Sequence, residues 1–241
     1  MKFLNTIKKK IFACISLFLI VILIAGSLYF GNYYHSEDIA IENMRGNSLV
    51  NVNKINEGYF FDGPSNTKAI VFYPGAKVET TAYAPMLLKI AEEADVFLLN
   101  TPLYMAIFDV NKADKIINNY KYEEYFVAGH SMGGAVAGMY AANNLGKLKG
   151  VIFFASYPTK SLQKENFSAL SIFGTNDINP KALQKGKEFY PKDYKEVIIE
   201  GGNHAQFGNY GIQKGDGNAT ISTYEQQDKA AEAVKEYLTT H

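Results

Sequence analysis

The stretch VAGHSMGGA, residues 127–135, sets Ser131 two residues after Gly129 and two before Gly133. An apolar run, YFVA at 125–128, leads into it, and the small helix-forming residues Ala135, Val136, Ala137, Gly138 and Met139 lead away. A buried strand that reverses into a helix this sharply forces its central residue into a strained backbone and lifts that side chain over the carboxyl edge of a sheet. Side chains at 129 and 133 would collide with the neighbouring strand or helix. The rival reading is a tight glycine-rich turn whose serine caps the helix.

Working outward, the runs KAIVFY (68–73), DVFLL (95–99), GVIFF (150–154), ALSIF (169–173) and EVII (196–199) are short, continuous and rich in Val, Ile and Phe. Such runs suit strands buried on both faces, as in a parallel sheet. Between them, helical spacing recurs at 82–94, 112–120, 132–145 and 181–189, and a last amphipathic helix is predicted at 225–238. Strand and helix alternate, so an α/β fold is expected, a mostly parallel sheet with helices on both faces. Residues 46–62 read as an antiparallel hairpin at one edge.

A serine hydroxyl is a poor nucleophile without a base. Of the four histidines, His35 lies in a polar segment, His130 is inside the turn and His241 is last in the chain. His204 remains, on a loop after the final apolar run, at the strand end where sites gather in open α/β sheets. A carboxylate should orient its imidazole. Asp177 follows the preceding strand by a tight turn; its other reading is a cap ahead of Pro180, and Asp109 and Asp216 are the fallback acids. The order Ser131, Asp177, His204 suits this architecture. Charge developing on a substrate oxygen needs two backbone donors. The amide of Met132, next to the serine, is one, and that of Ala76, after a turn opened by Gly75, is the other. Lys77 and Tyr83 either line the pocket or sit at the solvated surface.

The N-terminus has another character. Residues 1–10 carry Lys2, Lys8, Lys9 and Lys10, and residues 11–30 run without a charge, about 30 Å as a helix and a match to a bilayer. The positive flank predicts a cytoplasmic start and a single-pass cell-membrane anchor that leaves residues 46–241 extracytoplasmic, with 31–45 as a tether. A cleaved signal ending near Ala25-Gly26-Ser27, and hence secretion, is the alternative. The balance of 24 basic and 24 acidic residues includes those four lysines, so the remainder is mildly acidic. No nucleic-acid surface is expected from it. Cys14, the one cysteine, lies inside the apolar run, so neither a disulfide nor a lipid anchor on it is expected. No cofactor or metal is expected either, since no histidine or cysteine cluster has ligand spacing. The Gly146-Lys147 pair lacks the rest of a phosphate loop, and residues 215–218 (GDGN) lack the later acidic ligands of a calcium loop.

Together the elbow GHSMGG (129–134), the turn GTND (174–177), the loop GGNHAQFG (201–208) and the loop FYPGAKVE (72–79) resemble the α/β-hydrolase superfamily. The stretch 201–222 is similar to compact bacterial α/β-hydrolases related to dienelactone hydrolases, and the resemblance spans residues 46–241. It implies a triad of Ser131, Asp177 and His204, with Ala76 and Met132 as oxyanion donors, hydrolysing a small-molecule ester or related acyl bond. Dienelactone hydrolases proper use cysteine where this chain has Ser131. The linker 155–168 is too short for the helical cap of many relatives, so an open, shallow site that prefers small acyl groups is expected. Acyl transfer to a cell-envelope acceptor, or a non-catalytic binding module on the same fold, are the other functions these residues allow.

Overall fold

The computed structural model describes residues 2–64, 67–183 and 186–241. The chain divides into two units, Met1–Tyr33 and Tyr34–His241. The first is one helix, α1 (Lys2–Gly31), whose stretch Lys10–Gly31 is long and apolar enough to cross a membrane.

In the second unit the elements run α2 (Asp38–Asn43), β1 (Asn51–Ile55), β2 (Gly58–Asp62), β3 (Lys68–Tyr73), α3 (Ala84–Ile90), β4 (Asp95–Leu99) and α4 (Ala113–Asn119). There follow β5 (Glu124–His130), α5 (Met132–Asn144), β6 (Gly150–Phe154), β7 (Ser168–Gly174), α6 (Pro180–Leu183), β8 (Asp193–Ile199) and α7 (Thr223–Thr240). The eight strands form one sheet in the order β1-β2-β4-β3-β5-β6-β7-β8. From β4 to β8 every pairing is parallel, and the β1–β2 hairpin adds antiparallel to β4.

Alternation along the central strands builds two cores. Ile70 and Phe72 of β3, Phe126 and Ala128 of β5, and Ile152 and Phe154 of β6 pack with α3 and α7 on one face. Ala69, Val71 and Tyr73, with Val127, Val151 and Phe153, pack with α4 and α5 on the other. Burying each aliphatic or Phe side chain contributes about 1.5–3 kcal/mol. Because both faces are covered, β3–β7 read as unbroken apolar runs, and their carboxyl ends all reach one edge.

Two segments differ from expectation. The segment 31–45, expected as a tether, joins the second unit from Tyr34 onward. Tyr34 bridges Val78 in parallel, Ser36 donates its N–H to Glu79 Oε2 at 2.8 Å, and Ala40 of α2 is fully buried. The bridge partner lies more than forty residues away, which no local periodicity reveals. The helix expected at 181–189 is α6, then a positive φ of 78° at Gly186 and one 3-10 turn, Lys187–Phe189; residues 184 and 185 lie outside the described residues.

Candidate active site

Between the last residue of β5 and the first of α5 stands Ser131 alone, at φ 54° and ψ −122°. A non-glycine residue at such angles costs about 1–3 kcal/mol and persists only where its surroundings impose it. Here the Ser131 N–H donates to Phe154 O at 2.9 Å and its carbonyl accepts from Ala135 N at 3.2 Å. The glycines leave no alternative path. A Cβ on Gly129 would stand 2.4 Å from the Gly133 backbone, and one on Gly133 only 2.1 Å from Tyr73 O. A Cβ on Gly134 would meet Ser156 Cβ at 2.5 Å. The Ser131 hydroxyl makes no capping bond to α5, which removes the helix-cap reading. It faces a cavity instead.

That cavity, about 250 Å³, is lined by Ser131, Asp177 and His204 together, with Met132, Ala155 and Ile178 among the rest. His204 Nδ1 stands 3.1 Å from Asp177 Oδ2, and both residues are 6 % exposed. A carboxylate only accepts, so Nδ1 carries a proton and the ring's other nitrogen, Nε2, is the one left for proton transfer. Asp177 Oδ1 takes the N–H of Asn179 at 3.1 Å. The local turn and the histidine therefore each engage one oxygen of the same carboxylate. No hydrogen bond joins Ser131 to His204 among the described residues; in unliganded sites such bonds are commonly long.

The histidine loop is held from behind by polar ties that the sequence did not disclose. Asp216 accepts from the N–H of His204 at 3.2 Å and of Ala205 at 2.8 Å. Gln226, fully buried in α7, grips both the N–H and the C=O of Asn203, at 2.9 and 2.7 Å. Asp216, a fallback acid, thus binds the backbone of the histidine and leaves the ring to Asp177. Asp109, the other, sits at the non-helical kink (φ −146°, ψ 63°) that breaks the 3-10 segment Ala106–Lys112, and does not line the cavity.

On the far side of Ser131 a second cavity of about 180 Å³ is lined by Tyr34, Gly75, Ala76, Lys77, His130 and Ser131, among others. Lys77, at φ 57°, anchors the loop by donating its N–H to Tyr104 O at 2.8 Å. Tyr83 is not at the solvated surface: it is fully buried under this loop. Neither the amide of Ala76 nor that of Met132 donates a hydrogen bond among the described residues. A larger hollow of about 500 Å³ lies behind the histidine loop, lined by Asn203, Gln206 and Asp216, and does not contain Ser131. Among the described residues no group of three or more His, Cys, Asp or Glu is arranged to hold a metal ion.

The model of the alpha/beta hydrolase family matches residues 69–228. No curated protein matches the sequence. Among solved structures, a predicted CIB-like hydrolase from Thermoplasma acidophilum superposes at a TM-score of 0.58 and 17% identity, over 80% of this chain and all of that one. A membrane phospholipase A described as a bacterial virulence factor gives 0.59 at 11% identity, over 95% and 99%. Dienelactone hydrolase from Anabaena variabilis gives 0.56 at 14%, over 80% and 99%. Such low identities establish the fold, and the family match covers the parallel strands from β3 onward, the serine turn and the histidine loop alike. The chain belongs to the alpha/beta hydrolase family.

Proposed function

We propose that the protein is a serine hydrolase that cleaves ester or related acyl bonds through an acyl-enzyme. The single observation that carries this reading is Ser131, strained at φ 54° and not used as a cap, opening into the cavity that also holds the His204–Asp177 pair. His204 Nε2 takes the proton from Ser131 Oγ as that oxygen bonds to the acyl carbon. The carbonyl oxygen gains charge and takes hydrogen bonds from the amides of Ala76 and Met132, the first-turn donor of α5 adding its dipole. Collapse breaks the bond to the leaving alcohol, which receives the proton from His204. Water then repeats the sequence and releases the acid. Asp177 holds the ring's Nδ1–H throughout and stabilises the imidazolium.

Two features support hydrolysis over transfer to another acceptor, and small acyl groups over long ones. The linker 155–167 carries neither helix nor strand, so no helical cap stands between β6 and β7. The cavity itself is small, about 250 Å³. α1 then serves as a single-pass anchor in the cell membrane, with the second unit extracytoplasmic, since the basic residues precede the apolar stretch.

Labelling by a fluorophosphonate and turnover of short-chain p-nitrophenyl esters test the reading. Ser131→Ala abolishes both; persistent labelling of that variant overturns the assignment. Protease treatment of intact cells, with the second unit cleaved and residues 1–10 protected, tests the topology.

A further inference from the structure

Beneath Ser131 two of the converging loops are joined by a chain of hydrogen bonds that the reaction above does not use. Gly75 donates its N–H to Tyr83 Oη at 2.9 Å. Tyr83 Oη lies 2.9 Å from His130 Nδ1, and His130 Nε2 lies 3.0 Å from the carbonyl oxygen of His204. Chemistry fixes each direction. A carbonyl only accepts, so His130 carries its proton on Nε2. Burial first, and the neighbouring His204 second, hold this imidazole well below the usual histidine range, so it is neutral and Nδ1 is a lone pair. Tyr83 therefore donates to Nδ1, and its oxygen accepts from Gly75.

Nothing in the chain of bonds is loose. Tyr83 is fully buried and His130 is 1 % exposed. The Tyr83 ring packs 5.0 Å from Phe72 and the His130 ring 4.7 Å from His204. A Cβ on Gly75 would stand 2.8 Å from Tyr83 Oη and 2.9 Å from His130 Nδ1, so the loop lies directly on the pair. The polar atoms satisfy the N–H of Gly75 and the carbonyl of His204, two backbone groups that an apolar pair of the same shape would leave without those partners. What the polar pair adds is a fixed span between two backbones. One belongs to the loop bearing the Ala76 amide, the other to the residue bearing the base.

We infer that Tyr83 and His130 are positioning residues, a buried tie that sets the Ala76 amide and the His204 ring at one separation so that both meet the same acyl group on Ser131. The inference rests on the serine-hydrolase reading. A misplacement of about 1 Å in such a constellation costs on the order of 100-fold in rate, while substrate binding in an open cavity is little affected. The tie therefore acts on kcat and leaves KM.

The test is Tyr83→Phe in the full-length protein, which keeps the ring and removes the hydroxyl. The active fraction is titrated with a fluorophosphonate, and kcat and KM are measured with p-nitrophenyl acetate. Per titrated site, kcat is expected to fall about 10- to 100-fold, with KM within about twofold. Imidazole ¹⁵N shifts give a second readout: in Tyr83→Phe the unprotonated Nδ1 of His130 loses its donor and its resonance moves downfield, while the Nε2–H held by the His204 carbonyl is retained. His130→Gln, measured the same way, covers a Tyr83→Phe that folds poorly and is expected to show the same kcat loss. Ser131→Ala, run alongside, separates the two readings. If it turns over substrate, the serine-hydrolase reading fails and the tie falls with it. If it is inactive while Tyr83→Phe and His130→Gln keep kcat per site within twofold, the tie alone is overturned.

Discussion

The serine turn and the histidine loop reach the same cavity by opposite means. The turn at 129–134 is shaped by exclusion: added Cβ atoms at Gly129, Gly133 and Gly134 would stand 2.1–2.5 Å from other atoms, so only one backbone path remains. The loop at 201–208 is shaped by attachment, through Asp216, Gln226 and His130, which hold the backbone of Asn203, His204 and Ala205. Exclusion needs only the absence of side chains at three neighbouring glycines, even where the atoms they make room for, those of Tyr73, Pro74 and Ser156, are distant in sequence. Attachment depends on groups brought from as far as His130, 74 residues earlier in the chain. The turn is thus sensitive to an added methyl group, and the loop to a removed acceptor.

The largest effect expected from that contrast is Gly133→Ala. Its Cβ meets backbone oxygens of Tyr73 and Pro74, which have no rotamer to move, so a cost of about 3 kcal/mol or more follows. That is on the order of 10 °C in Tm for a domain of this size. A thermal melt within about 2 °C of the wild type would show that the turn is not defined by exclusion.

Asp216→Ala comes next. It strips the acceptor from three amides, those of His204, Ala205 and Gly217, at a cost of about 2 kcal/mol, and frees the histidine loop. Ester turnover is expected to fall about tenfold while fluorophosphonate still reaches Ser131, which distinguishes it from loss of the nucleophile. Undiminished turnover would move the control of His204 elsewhere.

The third effect is a pH slope. Burial depresses His130 in the folded state, so below the ordinary histidine pKa of about 6.5 the unfolded chain binds a proton that the folded chain refuses. Stability present above about pH 6.5 is lost as the pH falls, at up to ~1.4 kcal/mol per unit for one proton. Denaturant unfolding between pH 7 and 5 is expected to show this slope, and His130→Gln to flatten it. Equal slopes in both proteins would mean that His130 is not kept neutral by the fold.

Smallest is Ser222→Ala, away from both regions. Ser222 caps α7 by accepting from Glu225 N at 3.1 Å, and its loss costs about 1 kcal/mol without touching kcat. A change in turnover there would show that the loop is tensioned through α7.

Much of the fold was legible because its strands are short apolar runs and its helices keep their period. The edge hairpin at 46–62, the strands and α7 lie where those patterns put them, but β8, expected to be buried on both faces, is the edge strand and leaves Ile198 exposed. For the site, G-x-S-x-G singled out Ser131, and scarcity of histidines singled out His204. Asp177 emerged from its place after a strand. What escaped was of another kind. Asp216 read as a turn residue and a fallback acid, because a carboxylate that binds backbone amides leaves no periodic trace. Tyr83 read as ambiguous between pocket and surface, though it is fully buried. The segment from Tyr34 read as a tether, because its partner strand lies beyond any local window.

The sequence by itself determined the turn at Ser131, since the spacing of its glycines between an apolar run and a helical one is a local property. It also determined the two-faced burial of the sheet and the apolar N-terminal helix, because period and length are local properties. Only the tertiary structure decided which carboxylate faces the His204 ring and which its backbone, and that His130 and Tyr83 lie between two loops. Those assignments depend on directions and distances of hydrogen bonds across the sheet edge, and a linear order of residues carries neither.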